Sequence, residues 1–298
     1  MAKVLVVCGA TASGKTALSI ALAKQLNTEI ISADSMLIYK GLDIGTAKPT
    51  VAEMDGIKHH MIDVVSPKDS FSVSDYRLAA LPIVEGLLAK EKTPIICGGT
   101  GFYINSLLFE SQMGNVGADE KLRAEFEGYL AENGKDALHA LLAEKDAESA
   151  AILHPNDTKR VIRALEIFYL TGRKKSEQGD TFAPKFDFTC VSIDYPRVRL
   201  YDRINLRVDK MFAEGLEAEI DTLLDNGVTK DCQCMQGIGY KEILEGREQG
   251  FSLEEIKELI KKNTRNYAKR QLTFFKRMPN HLRLSPDEID VEKVLEKL

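Results

Sequence analysis

The chain has 298 residues, 44% of them hydrophobic and 29% charged, and its net charge is −5 at pH 7. That length supports a large core, most simply one domain carrying a substantial insertion, and the acidic balance excludes a uniformly basic nucleic-acid coat, so any RNA surface must be a local patch. No apolar run approaches the roughly 20 residues of a membrane span, no leader pattern precedes the first strand, and five scattered cysteines fit a reducing, cytoplasmic setting better than a disulfide framework.

Val4-Leu5-Val6-Val7-Cys8 is an apolar, β-branched run and predicts a buried parallel strand. Gly9-Ala10-Thr11-Ala12-Ser13-Gly14-Lys15-Thr16 follows and matches G-x-x-x-x-G-K-[ST], the phosphate-cradling P-loop. The glycines permit backbone angles closed to other residues, so the loop can turn its amides inward on a phosphate. Lys15 adds a point charge, and the Thr16 hydroxyl is placed to meet Mg²⁺. Ala17–Leu26 has helical spacing, and a helix there points its partial positive end at the same anion.

Glu29–Ala33 predicts a second strand, which puts Asp34-Ser35 at its carboxyl end. Ligands of open α/β sheets bind at that edge, so Asp34 is a candidate general base or metal ligand; elsewhere it would read as a turn or cap residue. Tyr39–Pro49 is a polar, Gly-containing loop. His59–Val65 predicts a short strand, whose adjacent histidines face opposite sides and so make a poor metal pair. Ser74–Ala89 is helical in pattern. Thr93–Cys97 is a further buried strand, and Gly98-Gly99-Thr100-Gly101 after it is a second glycine turn, expected to lie beside the first.

From Ser111 to Lys185 the character changes. Glu120–Asn133, Asp136–Glu144 and Thr158–Thr171 read as amphipathic helices with no strand between them, which predicts a helical insertion over 111–185 between core segments 1–110 and 186–298. Phe186–Tyr195 returns to strand. Arg197–Asn226 is charged and helical, with Arg203 and Arg207 at i,i+4 on one face. Gly237–Lys241 is a glycine turn into a helix. The stretch Asn263–Arg277 interleaves cations with aromatics, a pattern suited to phosphates and bases. His281–Leu284 predicts an edge strand. The fold class is therefore α/β: a P-loop NTPase-like parallel sheet flanked by helices, with a helical insertion domain.

Taken together and in order, the P-loop, Ile31-Ser32-Ala33-Asp34-Ser35, Asp43-Ile44-Gly45-Thr46-Ala47-Lys48-Pro49, Gly98-Gly99-Thr100-Gly101, Arg163-Ala164-Leu165-Glu166, Gly239-Tyr240-Lys241-Glu242 and Lys269-Arg270-Gln271-Leu272-Thr273 resemble the bacterial tRNA dimethylallyltransferases, or tRNA isopentenyltransferases, along nearly the whole chain. Each motif alone is weak; the ordered set is specific. The resemblance implies transfer of a dimethylallyl group from dimethylallyl diphosphate to the exocyclic amine of the adenine just 3′ of the anticodon. The P-loop residues Gly9 to Thr16 would then hold a prenyl diphosphate with Mg²⁺. Asp34 matches the family's catalytic base and Thr100 a residue near the reaction centre.

Contacts to the tRNA anticodon stem-loop are implied at Asp34, Ser35, Met36 and Leu37, at Arg123, and at Lys159, Arg160, Val161, Ile162 and Arg163. The same holds for Gln236, Gly237, Ile238, Gly239, Tyr240 and Lys241, and for Lys269, Arg270, Gln271, Leu272, Thr273, Phe274, Phe275 and Lys276. A monomeric enzyme is expected. Two departures stand out: Leu37 occupies a position where the family commonly has Gln, and Phe274 one where Trp is common. The competing readings are a P-loop small-molecule kinase, an isopentenyltransferase acting on free adenylate, and a nucleotide-gated RNA-binding module without catalysis.

Overall fold

The computed structural model describes residues 3–110, 117, 119–177 and 183–296. Of the expected insertion, residues 111–116, 118 and 178–182 lie outside the described residues, as do 1–2 and 297–298 of the expected core. The chain divides into two compact units, Met1–Leu108 with Pro184–Leu298, and Phe109–Ala183.

The first unit begins with β1 (Val4–Cys8), α1 (Lys15–Gln25), β2 (Ile30–Ser32), α2 (Val51–Met54), β3 (His59–His60), α3 (Val73–Leu88), β4 (Ile95–Gly98) and α4 (Gly101–Leu108). The second unit holds α5 (Glu120–Lys145), α6 (Ala147–Ile152) and α7 (Thr158–Thr171). The first then resumes with β5 (Phe188–Ile193), α8 (Arg197–Ala213), α9 (Leu216–Asp225), α10 (Tyr240–Glu248), α11 (Leu253–Phe275), β6 (His281–Leu284) and α12 (Val291–Leu295). Its six strands form one parallel sheet in the order β3-β2-β4-β1-β5-β6.

The central strands are buried on both faces, as their unbroken apolar runs require. Register pairs Cys8 with Gly98 and Ser32 with Cys97, so the carboxyl ends of β1, β4 and β2 stand side by side. The loops that leave those three ends are therefore neighbours, although they are distant in sequence.

Local departures have local causes. The expected strand from His59 shrinks to two residues because Met61 and Asp63 take positive φ angles of 60° and 54° and turn the chain away. The charged helical run from Arg197 divides in two at Gly215, whose φ is 99°. Gly134, at φ 82°, breaks α5 into the two helices that the sequence pattern separates. The helix α6 has no counterpart in that pattern; it exists because Asp146 caps it.

The second unit packs Phe126, Leu138, Leu142, Val161, Ile162 and Leu165 into a core of its own. Two carboxylates are buried with it. Asp146 accepts from the amides and hydroxyls of both Ser149 and Ser176, at 2.6–3.0 Å. Burial alone would raise its pKa, but those bonds outweigh it and hold the carboxyl down to about 2. Asp146→Asn offers an amide where two donors point, so it should destabilise this unit by about 1–3 kcal/mol, read as a lower urea midpoint at neutral pH. The native pKa lies below the unfolded value of roughly 3.9, so this stabilisation is complete above that value and is lost as pH falls toward the native one. A gap between wild type and variant that fails to narrow on acidification contradicts this account.

Candidate active site

The P-loop joins β1 to α1 with Gly9 at φ 131°, Ala12 at 60° and Gly14 at 86°. A carbon on Gly9 would meet ordinary contacts only, so its glycine is there for the backbone angle. At the neighbouring turn the reason is space: a Cβ on Gly98 would fall 2.1 Å from the Ala33 carbonyl oxygen, and one on Gly101 2.2 Å from the Phe274 ring. That close approach lets the Thr100 amide donate to Ala33 O at 3.0 Å, while the Thr100 hydroxyl accepts from the Ser35 amide at 3.0 Å. The turn after β4 thus fixes the segment bearing Asp34. One Asp34 oxygen, Oδ1, accepts from the Met36 amide at 2.9 Å; among the described residues Oδ2 takes no hydrogen bond.

A single side chain from α11 ties these loops together. Gln271, 5% exposed, accepts from the Thr11 amide at 2.8 Å and donates to the Gly99 carbonyl at 3.0 Å. Two arginines of α8 brace the rest: Arg203 donates to Ala12 O at 2.7 Å and Arg207 to Thr46 O at 2.9 Å. Lys15 folds back to donate to Ala10 O at 2.6 Å.

Lys15, Thr16, Asp34, Leu37, Arg207, Tyr267 and Gln271 line one pocket at the sheet edge. Burial pulls the Lys15 ammonium down from its ordinary pKa, while nearby Cys97 and Asp34 pull it back up. Burial does the same to Arg207, opposed by Asp34. Among the described residues neither cation forms a salt bridge; each donates to a backbone carbonyl instead. Burial and then the Asp34 charge push the Tyr267 phenol up to about 12, so it stays a neutral donor. The pocket holds two half-buried positive charges beside one carboxylate with an open oxygen. Such a site suits a multiply charged anion next to a group that gives up a proton.

The expected site residues divide clearly. Gly9 to Thr16, Asp34 and Thr100 come together at this edge, with the Thr11 amide already engaged by Gln271. On α11, Lys269, Arg270, Leu272 and Thr273 are exposed, as is Lys276 just past its end, and Phe274 is partly so, packed at 5.8 Å against Phe102. Gln271 and Phe275 are buried. Gln236 and Lys241 are exposed, Gly237 and Ile238 partly so, and Gly239 and Tyr240 are buried. In the second unit Lys159 and Arg160 are exposed, while Val161 and Ile162 sit in its core. Arg123 and Arg163 both bind the fully buried Glu166, at 2.9 Å and 2.5 Å. Burial would raise Glu166, but these two arginines and the Asp119 amide carry it below the usual carboxylate pKa.

Arg207 and Tyr267 belong to the pocket, yet neither stands out in the sequence as a site residue. The i,i+4 spacing of Arg203 and Arg207 was the available signal, since both cations fall on the face that α8 turns toward the loops.

Fold and pocket define an α/β enzyme core of the P-loop type. More narrowly, the chain belongs to the IPP transferase family, whose model matches residues 37–278. It is 45% identical over 302 residues to the tRNA dimethylallyltransferase of Acetivibrio thermocellus, covering 100% of this chain and 96% of that protein. In structure it is similar to the tRNA isopentenylpyrophosphate transferase from Bacillus halodurans, with TM-score 0.73, 42% identity, and 99% and 94% of the two chains covered. It is also similar to a eukaryotic dimethylallyltransferase solved acting on tRNA, with TM-score 0.81 and 31% identity over 96% of this chain and 74% of that one.

Gln271→Ala leaves the Thr11 amide and the Gly99 carbonyl without partners in a buried place. The expected cost is about 2–4 kcal/mol, one unmet backbone group each, measured by denaturant titration; a change below about 0.5 kcal/mol, the range of surface substitutions, would show that the clamp adds nothing.

Proposed function

We propose that this tRNA prenyltransferase moves a dimethylallyl group from dimethylallyl diphosphate to the exocyclic amine of the adenine just 3′ of the anticodon. The observation that carries this reading is the pair of half-buried cations, Lys15 and Arg207, lining the same pocket as Asp34 with its open oxygen. In this reading the P-loop amides, Lys15 and Arg207 hold the diphosphate and stabilise the charge that builds on it as the allylic C–O bond breaks. An exocyclic aromatic amine is a weak nucleophile, because its lone pair is delocalised into the ring. Asp34 accepts its proton as the new C–N bond forms. The ordered wall of Thr100, Ser35 and Gln271 supports this by holding the carboxylate in one place.

Mg²⁺ fits the donors present. It takes oxygen ligands and is commonly held by one or two protein groups together with phosphates and water. The Thr16 hydroxyl lines the pocket beside Lys15 and would hold it, and the ion would neutralise charge on the diphosphate.

For tRNA we assign the exposed cations Lys159 and Arg160 on α7 and Lys269, Arg270 and Lys276 on α11 and at its end, with Arg123 and Arg163 held ready by Glu166. Lys241 and Gln236 extend this set. We assign a monomer, and five free thiols support a cytoplasmic setting.

Asp34→Asn keeps size and hydrogen-bond reach but removes basicity. Its single-turnover rate should fall by about 10² to 10⁴, with tRNA affinity within a few-fold of wild type; loss of tRNA binding at an unchanged rate would make Asp34 a binding residue. Lys15→Ala should cost on the order of 10²-fold or more, and full activity in EDTA would remove the metal from the scheme. Arg270→Ala and Lys276→Ala should each weaken tRNA binding and lower its salt dependence by about one phosphate contact. They should leave inorganic diphosphate binding unchanged. Normal tRNA titrations for both would show that this face is merely solvated.

A further inference from the structure

The loop from Asp43 to Pro49 supplies Thr46, Ala47 and Pro49 to the pocket wall, and Thr46 O is the acceptor that orients Arg207. What holds this loop is a carboxylate outside the pocket. Glu219, in the first turn of α9, accepts from three successive amides: Asp43 at 2.7 Å and Ile44 at 2.6 Å on Oε2, and Gly45 at 3.1 Å on Oε1. Oε1 also accepts from the Tyr240 hydroxyl at 2.6 Å. The fully buried Tyr240 ring lies flush on the loop, since a Cβ on Gly45 would come within 2.6 Å of it. Burial, and then the Glu219 charge, push the Tyr240 phenol well above its ordinary pKa and keep it a donor.

We propose that Glu219 is a positioning residue for the prenyl diphosphate. Its carboxylate gathers a nest of three amides and one phenol, fixes residues 43–45, and through them sets Thr46 O and the guanidinium of Arg207. Successive amides turned toward one anion form a concave positive site, and here the protein fills that site with its own carboxylate. The chain of contacts runs from Glu219 to the loop amides, from Thr46 O to Arg207, and from Arg207 to the pocket it shares with Asp34. Lys48 ties the loop's far end to Asp43 at 2.6 Å, to Asp63 at 2.5 Å and to Tyr39 O at 2.8 Å, and the Lys48 amide donates to Asp43 O at 2.9 Å, so the loop keeps its turn without Glu219 but loses its anchor to α9. A neutral side chain cannot take over. Gln at this position has one acceptor oxygen and an NH₂ group, so at least one loop amide or the phenol would face a donor.

The inference rests on the P-loop pocket being the diphosphate site, and the test separates the two. Inorganic diphosphate is titrated calorimetrically into wild type, Glu219→Gln and Tyr240→Phe with Mg²⁺ present, and steady-state kinetics follow with dimethylallyl diphosphate and tRNA. Glu219→Gln should bind diphosphate about tenfold or more weakly, as for loss of a charge-assisted hydrogen bond. Its KM for dimethylallyl diphosphate should rise by a similar factor, its kcat should fall by less than KM rises, and its tRNA affinity should hold within about twofold. Tyr240→Phe keeps the packed ring and loses one bond on Oε1, so a smaller loss of about threefold is expected.

Folded Glu219→Gln with wild-type diphosphate affinity overturns the proposal and leaves the diphosphate site standing, whereas wild type that binds no diphosphate overturns both. Should Glu219→Gln not fold, Tyr240→Phe decides: unchanged diphosphate affinity and KM in that variant reduce the carboxylate to a structural role.

Discussion

One side-chain amide holds the working edge of this protein together. Gln271 reaches from the long helix α11 into the sheet edge and bonds the loop after β1 with one end and the turn after β4 with the other. Parallel pairing puts those strand ends side by side, but pairing stops where the strands stop. Beyond that point the two loops have no ladder between them, and their buried backbone groups need partners of another kind. Gln suits the place because it carries a donor and an acceptor on one rigid plane. Its position also explains Gly99, where a Cβ would lie 2.1 Å from the Gln271 Nε2. The last long helix of the chain is therefore part of the site's frame, although Gln271 comes 260 positions after Thr11 in the loop it holds.

The same edge is built against an electrostatic cost. Two cations are partly withdrawn from water there, and desolvation lowers the pKa of each. A structure that needed only stability would pair them with carboxylates. Instead Lys15 and Arg207 donate to carbonyls, and Asp34 is the acid that opposes the shift in both. Charge placed this way is worth most to a ligand that carries more than one negative charge, and it is already oriented when that ligand arrives. The arrangement in the second unit is the opposite. There Glu166 takes two arginines and an amide at once, so the carboxylate is fully matched and serves to fix the arginines' direction.

Much of this edge was legible in the sequence. The strand before the P-loop, the glycine turn after Cys97 and the acid after Ser32 all sit at strand ends, and a parallel sheet brings strand ends together whatever the details of the chain. The pocket roles of Arg207, Tyr267 and Glu219 were not legible. The sequence marks the stretch around Tyr267 as suited to phosphates and bases and puts Arg203 and Arg207 on one face, but only the packing of α8, α9 and α11 on the loops decides which cation, phenol or carboxylate points inward. The short helix α6 was missed for a related reason: six residues are too few for a period to show, and its start depends on one Asp that also serves Ser176.

Helical geometry also thins the surfaces that a run of residues suggests. On α7, Lys159 and Arg160 are exposed, but Val161 and Ile162, next in line, are core. On α11 the exposed positions Lys269, Arg270 and Thr273 and, just past its end, Lys276 flank Gln271 and Phe275, which point into the protein. Tyr240 and Lys241 are adjacent, yet one holds Glu219 and the other is exposed. A motif several residues long thus carries two jobs, because a helix shows a surface only one or two residues per turn. On α11 the inward Gln271 fixes the loops of the pocket, on α7 the inward members build the second unit's core, and the outward members of both face solvent. Surface charge and order in the pocket are then set by alternate residues of one helix, α11, which is how a chain of net negative charge can present several cations on one face without dispersing them over the whole fold.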